Sequence, residues 1–169
     1  MTTNAMNPSN WKRREILSLT GALASGAFGL RAAEDSEKLR VAVIGHTGRG
    51  DYGHGIDKVW LQIPETEIVA VADPVESGRA KAIERLSLKA EAGFESYQEM
   101  LNQVKPNIVA IGPRHIDQHR DFAVASAQAG AKGIYIEKPF VRDLAEADEV
   151  VAACEKSGTR LAIAHRNRY

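Results

Sequence analysis

A chain of 169 residues can enclose one well-buried core and is too short for two ordinary domains. Its 44% hydrophobic and 26% charged residues are the balance of a soluble globular protein and exclude a wholly disordered one. Basic and acidic residues number 22 each, so there is no basic excess of the kind a nucleic-acid partner would need, and none is expected.

The N-terminus reads as an address. Trp11, Lys12, Arg13, Arg14, Glu15, Ile16 and Leu17 precede a mildly apolar run over 18–30 that is rich in Gly, Ala and Ser, and Arg31, Ala32 and Ala33 close it. This is the layout of a secretory signal, and its paired arginines resemble a twin-arginine signal. Residues 1–33 are therefore expected to direct export, with a periplasmic or exported destination, and 34–38 to form a linker. An apolar stretch of about 13 to 15 residues falls short of the roughly 20 needed to span a bilayer, so stable membrane insertion is not expected. The alternative, an amphipathic first helix packed on the domain, would be weakened by Gly21, Gly26 and Gly29. Arg31 stands where a clean cleavage motif wants a small residue, which leaves the cleavage position open. Removing four basic residues and one acidic residue with this segment leaves 18 against 21.

From Leu39 onward, short apolar runs alternate with amphipathic stretches. Residues 39–45, 67–73, 107–111, 133–137 and 160–164 have the length and apolar content of buried parallel strands. Helices are expected over 77–86 and 116–130, the second closing on Gly130. In the last helical stretch Leu144, Ala147, Val151 and Cys154 recur at helical spacing and are expected to share the buried face, with Asp143 and Glu146 as an N-terminal capping pair. Cys154, the sole cysteine, then reads as core filling, and no intramolecular disulfide is possible. The alternation predicts an α/β fold, a doubly wound parallel sheet of the Rossmann NAD(P)-binding type over 39–169.

The first strand runs into Gly45, His46, Thr47, Gly48, Arg49, Gly50, Asp51, Tyr52 and Gly53. A strict G-x-G-x-x-G fits Gly48, Gly50 and Gly53. The register that starts where the strand ends fits Gly45, Thr47 and Gly50, with Thr47 in place of the usual second glycine, and is preferred because the tight turn needs its glycine there. A following helix is expected to present free N–H groups to a pyrophosphate. Asp73 ends the second strand 28 residues beyond Gly45, where a carboxylate accepts hydrogen bonds from the adenosine ribose. Such an acid repels a 2′-phosphate, so the expected cofactor is NAD or NADP with NAD favoured. Arg49 and Arg79 leave NADP open, since either can lie near a 2′-phosphate.

The later strands end in Ile111, Gly112, Pro113, Arg114 and His115, followed by His119, and in Glu137, Lys138 and Pro139. Phe94 to Leu101 stand before them, and Ala129 to Gly133 lie between. Together these residues resemble the family of glucose-fructose oxidoreductase, inositol dehydrogenase and MocA proteins (Gfo/Idh/MocA) over about 39–169, Glu-Lys-Pro at a strand end being the most specific part. The resemblance implies that Lys138 sits beside the nicotinamide and hydrogen-bonds the reacting hydroxyl of a sugar or cyclitol, that Glu137 supports the lysine or the cofactor, that Pro139 follows a cis peptide, and that Pro113 and His119 lie near the cofactor end of the cleft. His115 and His119 lack a third ligand nearby, and no metal site is expected.

Family members carry a further α+β domain that forms the substrate wall, and none follows in this sequence. The expectation is thus an NAD(P)-binding domain of an exported oxidoreductase in truncated or partial form, completed by a substrate domain or a separate partner chain, with a homo-oligomer also possible. A non-catalytic nucleotide-binding module or remnant, and a component of an NAD-dependent, redox-neutral glycosidase, are the alternatives.

Overall fold

Residues 37–165 are described in the computed structural model; the signal-like segment over 1–33 and residues 166–169 lie outside the described residues. Six strands, β1 (Leu39–Ile44), β2 (Thr66–Ala72), β3 (Gly93–Phe94), β4 (Ile108–Ile111), β5 (Gly133–Ile136) and β6 (Arg160–Ile163), form one sheet in the order β3-β2-β1-β4-β5-β6. Every pairing is parallel, and the order reverses between β1 and β4, which opens a crevice at their carboxyl ends. All five strands anticipated from sequence are present within a residue at either end. The sixth, β3, has only two residues, too few to leave a pattern.

The central strands are apolar on both faces because both are covered. Ala42 and Ile44 of β1 face a core with Met100, Leu101, Phe122, Ile136 and Val150, while Val41 and Val43 face another with Tyr52, Ile56, Ile68 and Leu86. Full burial of a Val or Ile side chain stabilises by about 1.5–3 kcal/mol, so this two-sided pattern is the main force holding β1 central. Helices α1 (Glu76–Arg85), α2 (Tyr97–Val104), α3 (His119–Gln128) and α4 (Leu144–Ser157) connect the strands.

Local chemistry sets the helix ends. Ser96 Oγ accepts from Glu99 N at the start of α2, and Asp143 accepts from Glu146 N at the start of α4 (3.0 Å), the expected capping pair. Glu146 returns its own carboxylate to Arg142 N at 2.9 Å. Gly130, with φ +84°, follows the end of α3 as anticipated.

Three expectations need correction. The helix predicted over 116–130 begins as a 3-10 turn, Ile116–Gln118, and becomes α-helical only at His119. On α4 the buried side chains are Glu146, Val150 and Cys154, whereas Leu144 and Val151 are 83% and 49% exposed, so the inward face is rotated from the predicted one. No α-helix follows the glycine turn: residues 52–58 are successive turns, and Val59–Gln62 is a 3-10 helix. Gly53 and Gly55 take φ +60° and +86°, which an α-helix cannot contain. Tyr52 and Ile56 nevertheless cover the sheet, 8% and 4% exposed, as an amphipathic helix would have done.

Candidate functional site

The turn after β1 is folded on itself. His46 N donates to Asp51 O at 3.1 Å, Asp51 N returns to His46 O at 3.0 Å, and Gly48 N donates to the Asp51 carboxylate at 2.9 Å. Gly45 lies under the Tyr52 ring, where an added Cβ would come within 2.2 Å of a ring carbon, and Gly50 packs on the next loop, where one would stand 2.1 Å from Arg114 N. Glycine at 45 and 50 is thus required by close packing, in the register chosen from sequence.

Asp73 anchors the turn from the β2 side. Its carboxylate, 0% exposed, accepts from Thr47 N (3.1 and 3.2 Å), Thr47 Oγ1 (2.7 Å), Tyr52 Oη (2.9 Å) and Val75 N (2.9 Å). Burial, and then the neighbouring Asp73 charge, push the Tyr52 phenol far up, so it stays protonated and donates. Asp73 was expected to offer its carboxylate to a ribose; in the structure that carboxylate accepts from Thr47, Tyr52 and Val75.

Glu137 grips the same segment from the other side. It is 1% exposed, and its Oε1 accepts from His54 N at 2.9 Å and from His54 Nδ1 at 2.5 Å, while its Oε2 accepts from Lys138 N at 2.7 Å. Burial pushes its carboxyl up, but the hydrogen bonds from the His54 ring and the two backbone N–H groups outweigh that and hold it below the usual carboxylate range. An ionised carboxylate can only accept, so the His54 ring proton facing it is on Nδ1. The Lys138-Pro139 peptide is cis, as the resemblance implied, and the Lys138 side chain is exposed.

His119 belongs to the support. Its ring is 0% exposed, with Nε2 2.7 Å from Pro113 O and Nδ1 2.9 Å from Phe140 O. It therefore ties the loop after β4 to the turn after Lys138 and Pro139, and does not face the crevice where a cofactor contact was expected. Arg49 forms an ion pair with Asp117, and Arg79 Nη1 donates to Asp73 O at 2.6 Å.

Between these loops and the start of α2 lies a cavity of about 280 Å³ with Ile44, Ala72, Pro74 and Phe122 among its apolar walls and Glu95 and Gln118 among its polar ones. Apolar walls with polar edges suit an adenine base. The residues present thus fit the nucleoside part of a dinucleotide, while the ribose acceptor is filled. Among the described residues no group of three or more His, Cys, Asp or Glu could hold a metal ion. No helix among them is long and apolar enough to cross a membrane.

Sequence reasoning missed Tyr52, His54 and Gly78. The signal for the first two was the density of glycine around them, which argues against a helix. Gly78 lies inside α1, where a Cβ would stand 1.8 Å from Thr47 Oγ1.

Residues 39–165 match the family model described as "Oxidoreductase family, NAD-binding Rossmann fold". The chain belongs to the Gfo/Idh/MocA family. A D-apiose dehydrogenase of Paraburkholderia graminis is 35% identical over 125 residues, covering 71% of this chain and 31% of that protein. An inositol 2-dehydrogenase of Salmonella typhimurium is 30% identical over 95 residues, 56% of this chain and 27% of that one. The chain thus spans about a third of the length of these curated relatives. The WlbA dehydrogenase of Chromobacterium violaceum, solved with NADH and UDP-GlcNAcA, superposes with a TM-score of 0.67 at 22% identity, covering 79% of this chain and 37% of that one, a likeness of fold. The chain is accordingly an NAD(P)-binding Rossmann domain of an oxidoreductase family whose relatives act on small molecules.

Proposed function

We propose that this chain forms the dinucleotide-binding part of a dehydrogenase that acts on a secondary hydroxyl of a sugar or cyclitol. One observation carries the reading: a single buried carboxylate, Glu137, joins the glycine-rich segment through His54 to the backbone of Lys138. The turn that would face the pyrophosphate and the lysine that would meet the substrate are thereby fixed relative to each other.

A bound nicotinamide would supply the hydride acceptor or donor. The cavity beside Ala72 and Phe122 would take the adenine, and the Gly45–Gly50 turn would face the phosphates. Lys138, exposed at the mouth of the crevice, would hydrogen-bond the reacting hydroxyl and move its proton. The Glu137 contact aims the lysine's backbone, and His119 holds the carbonyl of Phe140, two residues further on. The sugar or cyclitol class rests on the relatives' substrates and on the Glu137-Lys138-Pro139 match.

Titrating the chain with NADH and NADPH, followed by nicotinamide fluorescence, tests the reading. Saturable binding is expected, and no binding at millimolar cofactor would overturn it. Binding without turnover on a panel of sugars and cyclitols would favour a non-catalytic module. Export through the twin-arginine route is also proposed, on the strength of Arg13 and Arg14 ahead of the apolar run. Replacing both arginines with lysine should leave the protein in the cytoplasmic fraction; unchanged export would exclude that route.

A further inference from the structure

We infer that the 2′ position of the adenosine ribose is read by Arg79 and not by Asp73, so that the site prefers a dinucleotide carrying a 2′-phosphate; this rests on the dinucleotide-binding reading above. An acid at the end of the second strand selects the unphosphorylated cofactor by accepting the ribose hydroxyls and by repelling a phosphate. The second effect weakens when donors of the chain surround the charge, and the first needs a carboxylate oxygen that faces a ligand.

Asp73 does not face one. A carboxylate accepts about four hydrogen bonds, and the four donor groups on Asp73 all come from the chain. The Thr47 hydroxyl, 2.7 Å from Oδ2, is a donor of the same kind as a ribose hydroxyl. The neighbouring helix is shaped around this contact. A Cβ on Gly78 would lie 1.8 Å from Thr47 Oγ1 and 2.9 Å from Asp73 Oδ2, so α1 carries no side chain where the threonine sits. Thr47 is also the departure from the usual second glycine, and here the departure has a partner on each side.

The positive charge at the strand end is placed differently. Of the two arginines that sequence left open, Arg49 is neutralised by Asp117 on the far side of the turn. Arg79 forms no ion pair with a carboxylate among the described residues; Nη1 is anchored on Asp73 O at 2.6 Å, and its side chain is only partly buried. A guanidinium has five N–H donors in a fixed plane, so one anchoring bond leaves the rest of the fork for a phosphate. With the acid enclosed and the cation anchored beside it, the strand end is attractive to an anion.

The experiment compares ligands that differ only in that phosphate: 2′,5′-ADP against 5′-AMP by calorimetry, and NADPH against NADH by fluorescence, all on the full chain. The phosphorylated member of each pair should bind about tenfold tighter or better. Arg79→Ala should collapse that ratio towards one, and Arg79→Lys should keep part of it, which separates loss of charge from loss of fold. Thr47→Ala, which removes one of the donors on Oδ2, should move the ratio towards NADH. Equal or tighter binding of AMP and NADH by the unaltered chain, or a ratio that survives Arg79→Ala, would overturn the inference alone. If none of the four ligands binds, the dinucleotide reading fails and the inference falls with it.

Discussion

Asp73, just past β2, and Glu137, just past β5, are both nearly inaccessible, at 0% and 1% exposure, and both bond the segment between Thr47 and His54. They differ in what supplies their donors. Asp73 is closed by Thr47, Tyr52 and Val75, whose contacts with it lie inside the fold. Glu137 is bonded by the partly exposed His54 ring and by the backbone of Lys138, groups that lead out to the crevice. Burial of an acid therefore does not by itself mark a ligand site. The identity and exposure of its donors separate an acid that closes a turn from one that orients a reactive edge.

The largest effect should come from breaking the closed side. Asp73→Ala would strand the Thr47 and Val75 N–H groups and the Tyr52 hydroxyl, and should cost on the order of 3–5 kcal/mol in urea unfolding. A loss below about 1 kcal/mol would show that the turn holds its shape without this acid. Glu137→Gln should cost less, about 1–3 kcal/mol, because the amide retains one acceptor. It also tests the sign of a pH effect. A carboxyl held below its ordinary value in the folded state contributes stability above the unfolded value, and that contribution is lost as pH falls through the lowered one, below about pH 4. Unfolding curves taken across that acid range should be steeper for the native chain than for Glu137→Gln, and superimposable curves would refute the assignment.

The same contrast explains what could be read from sequence. The central strands were legible because they are apolar on both faces and end at turn residues, and Gly45, Asp73 and Lys138 were found because each lies just past a strand end. What escaped depended on contacts distant in sequence. Asp73 is the right residue type at the right place, yet its availability was decided by Thr47 and Tyr52, 26 and 21 residues away. His119 carries a chemically capable ring, but whether it faced the crevice depended on Phe140, on another loop. The absent helix after the turn was signalled by Gly53 and Gly55, whose left-handed backbone outweighed the expectation carried by the glycine motif.

His119 offers a smaller test between the two sides. A neutral imidazole has one N–H and can donate to only one of the two carbonyls beside it, while the imidazolium donates to both. His119→Phe fills much of the space and removes the ring's donor, which should cost about 1–3 kcal/mol in the same unfolding assay. It should also weaken dinucleotide binding only indirectly, through the loop carrying Pro113. A variant as stable as the native chain would show that neither bond holds the loops together.

The smallest predicted effect concerns a third carboxylate, that of Asp51, which unlike the other two is exposed. It accepts from Gly48 N at 2.9 Å, so one of the N–H groups expected to meet a pyrophosphate already has an anionic partner. An incoming phosphate must compete with it and is repelled by it. Asp51→Asn keeps the size and an acceptor oxygen but removes the charge, so stability should change by less than about 0.5 kcal/mol while affinity for NADH and NADPH rises about threefold to tenfold at low salt. Added salt should shrink the gain, because screening weakens the repulsion that the substitution removes. A gain that persists unchanged at high salt would point to a rearranged turn, and no gain at all would mean that the phosphates do not approach Gly48, leaving the closed conformation of the turn as the one that binds.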